Sequence, residues 1–160
     1  MDIESLIDKW YNAYTDWNSL FEPIPIVSSS GFPHVYSYQT FHYDSSKINR
    51  DKLMESINPL KAAYEAVNNS QFLKFSKVNN EYDPCKISIS LTRLEQNVVQ
   101  EIRSELSRNF FGRVIDYCKG LKILEVEDHI LIKARTPDQL YDVVKYILAI
   151  PKVQEYFASQ

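Results

Sequence analysis

The chain opens on a regular alternation of apolar and polar positions. Ile3, Ile7, Trp10, Tyr14, Trp17 and Phe21 recur at intervals of four and three residues. At about 100° per residue these six fall within roughly 80° of one another, which predicts an amphipathic helix over residues 3–21. Its other side carries Ser5, Asp8, Lys9, Asn12, Thr15, Asp16 and Ser19. Pro23 and Pro25 end it, because proline removes a backbone donor and disfavours helical geometry in the residue before it. The stretch PIPIVSSSGFP then reads as an extended connector.

Beyond the connector the period changes. His34–Tyr43, HVYSYQTFHY, predicts a strand from its aromatic and β-branched content. Residues 47–68 return to helical spacing, with Leu53, Ile57, Leu60, Tyr64 and Val67 on one side. Asn58-Pro59 reads there as an N-cap and a first-turn proline, so this segment is expected to be two short helices or a kinked one. Gln71–Val78 is a strand, NNEYDP a turn, and Cys85–Leu91 a second strand. In that second strand Ile87, Ile89 and Leu91 alternate with Lys86, Ser88 and Ser90, the pattern of a half-buried strand.

Thr92 to Glu95 has the spacing of a capping box and starts a helical run that reaches Gly120. A straight helix of that length spans about 40 Å. Its apolar stripe shifts between Leu94–Leu106 and Phe110–Cys118, so a break is expected between Ser107 and Gly112. Leu121–Val126 and Ile130–Ala134 predict a hairpin turning near Glu127–His129. Thr136-Pro137-Asp138-Gln139 is a second capping box. The helix that it starts directs Leu140, Val143, Val144, Ile147 and Leu148 inward and stops before Pro151; a short helix follows over Lys152–Phe157.

This order predicts an α+β protein with a mostly antiparallel sheet and an N-terminal amphipathic helix. From residue 34 the elements run βαββαβ with an added strand and helix, the ferredoxin-like split βαβ order. Right-handed crossovers then place His34–Tyr43 beside Cys85–Leu91 at the sheet centre, with helices on one face. The organisation expected is a helix over 1–22, a connector over 23–33 and a single domain over 34–160.

Composition narrows the function more than it identifies it. Three glycines in 160 residues leave no Gly-rich phosphate loop. A net charge of −3 argues against nucleic acid, and Arg103, Arg108, Arg113, Lys119 and Lys122 are interleaved with acids as on a solvated helix. Cys85 and Cys118 have no CxxC partner and read as reduced thiols. With no basic-apolar leader and no apolar run near the ~20 residues of a membrane span, a cytoplasmic protein is expected, with no membrane contact. His34 and His42 share a strand face but lie about 26 Å apart, too far to hold one metal ion. No catalytic residue, metal or cofactor is assigned.

What remains is aromatic surface. Tryptophan and tyrosine dominate interface hot spots, so Trp10, Tyr14, Trp17 and Phe21 are the first candidates to bind a protein partner or a second copy, with Tyr36 and Tyr38 next. The expectation is a non-enzymatic interaction, regulatory or assembly module. The alternative is a small-molecule site or enzyme built from Tyr36, Tyr38, His42 and Asp44 on the open sheet face. The N-terminal helix cannot both cover that face and leave those tyrosines free.

Overall fold

The computed structural model describes residues 2–21, 50–107 and 120–160, together with the backbone of 23–25 and 41–43. Eleven elements lie within these residues: α1 (Ile3–Asn18), β1 (Pro23–Pro25), β2 (Phe41–Tyr43), α2 (Arg50–Asn69), β3 (Leu73–Val78), β4 (Glu81–Ser90), α3 (Gln96–Glu105), β5 (Lys122–Val126), β6 (His129–Lys133), α4 (Pro137–Leu148) and α5 (Pro151–Ala158). The protein is α+β, with a four-stranded antiparallel sheet in the order β3-β4-β6-β5.

That order differs from the ferredoxin-like one. β4 has β3 on one edge and β6 on the other, so no edge is left for His34–Tyr43. Of that predicted strand only Phe41–Tyr43 is described, and it pairs with Pro23–Pro25 in a separate two-stranded sheet. The physical reason is local. Both neighbours of β4 arrive as parts of tight hairpins, and short connections win over a long crossover when the apolar registers fit. Ile87 opposes Ile132 and Ile89 opposes Ile130, so the two hairpins join through a buried isoleucine seam.

The β3–β4 turn is tighter than the sequence suggests. Only Asn79 and Asn80 turn, both at positive φ (53° and 64°), and β4 begins at Glu81 rather than Cys85. Asparagine tolerates the left-handed region, and two such residues suit the right-handed twist of a hairpin. Strand pairing then shifts. Between Phe75↔Ile87 and Lys77↔Tyr82, Ser76 faces the four residues Asp83 to Lys86. Pro84 has no N–H to donate and sits where β4 is unpaired from β3, which is where a proline fits a sheet. The Cys85 amide bonds instead to the Asp83 carboxylate at 2.9 Å.

Helix boundaries follow the caps. Asp2 accepts from the Ser5 amide at 2.7 Å and starts α1. Thr136 accepts from the Gln139 amide at 3.1 Å, and Gln139 Oε1 accepts from the Arg135 amide at 2.7 Å, so the second capping motif forms much as predicted. The first does not. α3 begins at Gln96, after a turn in which the Leu94 amide bonds to the Leu91 carbonyl, and the Thr92 hydroxyl is engaged by Ser90. Burial of Leu91 and Leu94 holds that turn in place. α2 is one helix despite Pro59, which is exposed at the flank of the buried stripe formed by Leu60, Ala63, Tyr64 and Val67. The expected break between Ser107 and Gly112 and the stripe from Phe110 to Cys118 lie outside the described residues.

Buried side chains form one cluster between the helices and one face of the sheet. α1 belongs to it, since Ile3, Ile7 and Trp10 are buried there. A polar seam fixes α1 against α4. Tyr11 donates to Asp138 and Tyr141 donates to Asp8, each at 2.6 Å, and the two rings stack at 4.0 Å. Lys145 bridges Glu4 and Asp8 at 3.1 Å each. The hydrogen bond to Asp138 pushes the Tyr11 hydroxyl up to about 12.

Candidate functional site

The stripe of α1 divides in two. Its first half is core. Trp10 is 0% exposed and packs its ring 4.7 Å from Phe75 and 6.1 Å from Tyr64. A partner-binding role for Trp10 is therefore corrected: the side chain is sealed inside its own fold. Its indole N–H has no hydrogen-bond partner among the described residues.

The second half runs past the core. Tyr14, Trp17 and Phe21 are half-buried and form a chain of rings, with centroids 6.0 Å and then 4.8 Å apart. Tyr14 and Trp17 wall one side of a cleft of 570 Å³. α2 supplies a second wall through Ile57, Leu60 and Tyr64, with Lys61 and Glu65 at the wall's polar side. The β3–β4 hairpin supplies the third through Lys77, Asn80, Glu81, Tyr82 and Pro84.

The irregular pairing of β4 sets the third wall. It carries Tyr82 into a stack with Tyr64, 4.8 Å apart and 10° from parallel. Lys77 Nζ lies 4.6 Å over the other ring of this stack, Tyr82, a cation–π contact. Tyr64 also meets Phe75 edge-on at 4.9 Å, so the cleft floor is continuous with the core. Burial pushes the Tyr64 hydroxyl up to about 12, and it stays protonated at neutral pH as a donor. The Trp17 indole N–H is enclosed rather than open to the cleft, and has no hydrogen-bond partner among the described residues.

The chemistry of this lining is recognition. Flat aromatic rings, a few aliphatic side chains and the protonated Tyr64 hydroxyl suit apolar or aromatic groups that carry an acceptor. Cys85 neighbours the lining residue Pro84, but burial pushes its thiol up to about 11, which leaves little thiolate at neutral pH. Among the described residues no three His, Cys, Asp or Glu side chains are grouped to hold a metal ion. None of the described helices is long and apolar enough to cross a membrane.

Of the sequence candidates, the structure brings Tyr14 and Trp17 together at the cleft and places Phe21 against Trp17. Tyr36, Tyr38 and Asp44 lie outside the described residues, as does the side chain of His42. Sequence reasoning missed Tyr64, Lys77 and Tyr82. Tyr64 was legible only as a member of an apolar stripe. Tyr82 was hidden in NNEYDP, where recognising Asn-Asn as a complete two-residue turn would have placed it in a strand. Against protein-family models, curated proteins and solved structures, the chain finds no match.

Proposed function

We propose that this protein is a non-enzymatic interaction module whose aromatic cleft receives an apolar or aromatic side chain of a partner protein, in the cytoplasm. One observation carries the reading. The stripe of α1 continues beyond what the core needs and leaves Tyr14 and Trp17 on a cleft wall. Half-buried aromatic rings on the wall of an open cleft present a flat apolar surface to an incoming side chain. Tyrosine and tryptophan around a pocket are also the usual composition of a binding hot spot.

A second reading has support from the same cleft. Its 570 Å³ lies within the ordinary range for small-molecule sites. The two separate through the indole signals of the two tryptophans in nuclear magnetic resonance. Short peptides bearing Trp, Phe or Leu are titrated alongside a panel of aromatic metabolites. Peptides are expected to shift the Trp17 indole signal and leave Trp10 in place, and Trp17→Ala to abolish their binding. A response to metabolites alone transfers the cleft to the second reading. A Trp17 signal that moves with neither panel removes both.

A further inference from the structure

The face of the sheet turned away from the helices carries its own pattern. Strand registers define cross-strand rows on it. Lys86 opposes Lys133, and Lys133 opposes Lys122, giving three lysines side by side on three adjacent strands. The next row runs Lys74, Ser88, Leu131, Leu124. A third ends in Val126, which with Leu124 is among the most exposed large hydrophobic side chains described (51% and 53%). None of these rows contains an acid, and none of the four lysines makes an ion pair among the described residues.

Folding alone does not account for the lysine row. Like charges directly opposite on neighbouring strands destabilise a sheet. Lysine on an edge strand blocks edge-to-edge aggregation, and this explains Lys74 on β3 and Lys122 on β5. It does not explain Lys86 and Lys133, because β4 and β6 are the inner strands. The arrangement is also concentrated in a chain whose net charge is −3. A charged row and an aliphatic row lie two residues apart along the strands, about 7 Å. Charge complementarity and this spacing together describe the occupant.

We propose that this face docks an acidic amphipathic segment of a partner protein, with carboxylates on the Lys86–Lys133–Lys122 row and aliphatic side chains on Leu124 and Leu131. Nucleic acid fits less well. These rows offer a base no Phe, Tyr or Trp ring, only the His129 imidazole in the third row, and the exposed aliphatics gain nothing beside phosphates. The surface lies across the sheet from the cleft, so the two are separable.

Fluorescence anisotropy tests the proposal on the full chain with a labelled amphipathic helix of glutamate, leucine and alanine. Its glutamine counterpart, a duplex DNA and an oligouridylate serve as comparison probes. The glutamate peptide is expected to bind, to weaken as salt rises, and to bind at least about tenfold more weakly to Lys133→Glu. The glutamine peptide is expected not to bind, and Trp17→Ala to leave the affinity unchanged. Lys133→Glu relieves repulsion from both flanking lysines, so it should melt no lower than the parent, which excludes misfolding as the cause of lost binding. The proposal falls if the glutamate peptide does not bind, if its glutamine counterpart binds equally, or if nucleic acid binds more tightly through the same lysines.

Discussion

Trp10 and Trp17 are two turns apart on one helix and have opposite fates. Trp10 fills the space between Phe75 and Tyr64 and is fully enclosed. Removing a buried aromatic ring leaves a cavity as well as losing its transfer free energy. Trp10→Ala should therefore lower stability by about 3–5 kcal/mol, read from urea denaturation with an unchanged slope. Trp17 is only half-buried, and Trp17→Ala should cost well under half of that in the same experiment. The ratio matters more than either value, because it separates the part of the stripe that folds the protein from the part that faces the cleft. No periodicity distinguishes the two, since both tryptophans occupy the same helical face. The difference comes from where α2 and the β3–β4 hairpin end, which is tertiary information.

At the scale of elements, the signals closest to the backbone were the most legible. Thr136-Pro137-Asp138-Gln139 starts α4, and the hairpin around Glu127 turns where the sequence places it, with Glu127 at φ 53°. Both depend on residues within a few positions of each other. Pro59 and Thr92 misled for the same reason in reverse. Pro59 can stay in a helix because it is exposed at the stripe's flank while Leu60, Ala63, Tyr64 and Val67 anchor the helix in the core. Thr92 loses its capping role because Leu91 and Leu94 are held in the core and fix a turn first. The Asn79-Asn80 turn gives an element-scale prediction. Asn80→Ala should destabilise by about 1–2 kcal/mol, as its φ of 64° is costly for a residue with a Cβ and no local hydrogen-bonding side chain. Asn80→Gly should be close to neutral. Thermal unfolding of the pair checks this, and equal losses would mean that the side-chain amide, not the backbone angle, matters at this position.

At the scale of the whole molecule, the fold class was legible and the strand order was not. Alternation in Lys86–Leu91 announced one buried face, and helical stripes announced what covers it. Which strand lies beside which depends on the fit of Ile87 with Ile132 and Ile89 with Ile130, and many isoleucine-rich strands offer such a fit. The candidate site was half legible. Tyr14 and Trp17 stood out as aromatics in excess of a core, but the walls opposite them come from α2 and an irregular hairpin whose geometry no motif encodes. Two surfaces on opposite sides of one sheet also suit an assembly role, because a partner at the cleft and another at the lysine rows would not compete.

The same strand order has a kinetic consequence. β3–β4 and β5–β6 each close through a two-residue turn, so each pairing brings together residues near in sequence. The β4–β6 pairing joins segments some forty positions apart and must wait for a large loop to close. Folding should then be limited by the docking of two preformed hairpins, with the isoleucine seam as its nucleus. Ile89→Val and Ile130→Val should slow folding with φ-values well above those of Val67→Ala in α2, measured from chevron plots. A nucleus centred on α2 instead would reverse that ranking. On this view the buried isoleucines at the midline of the sheet decide how long the newly made chain leaves its aromatic rings open to the wrong neighbours.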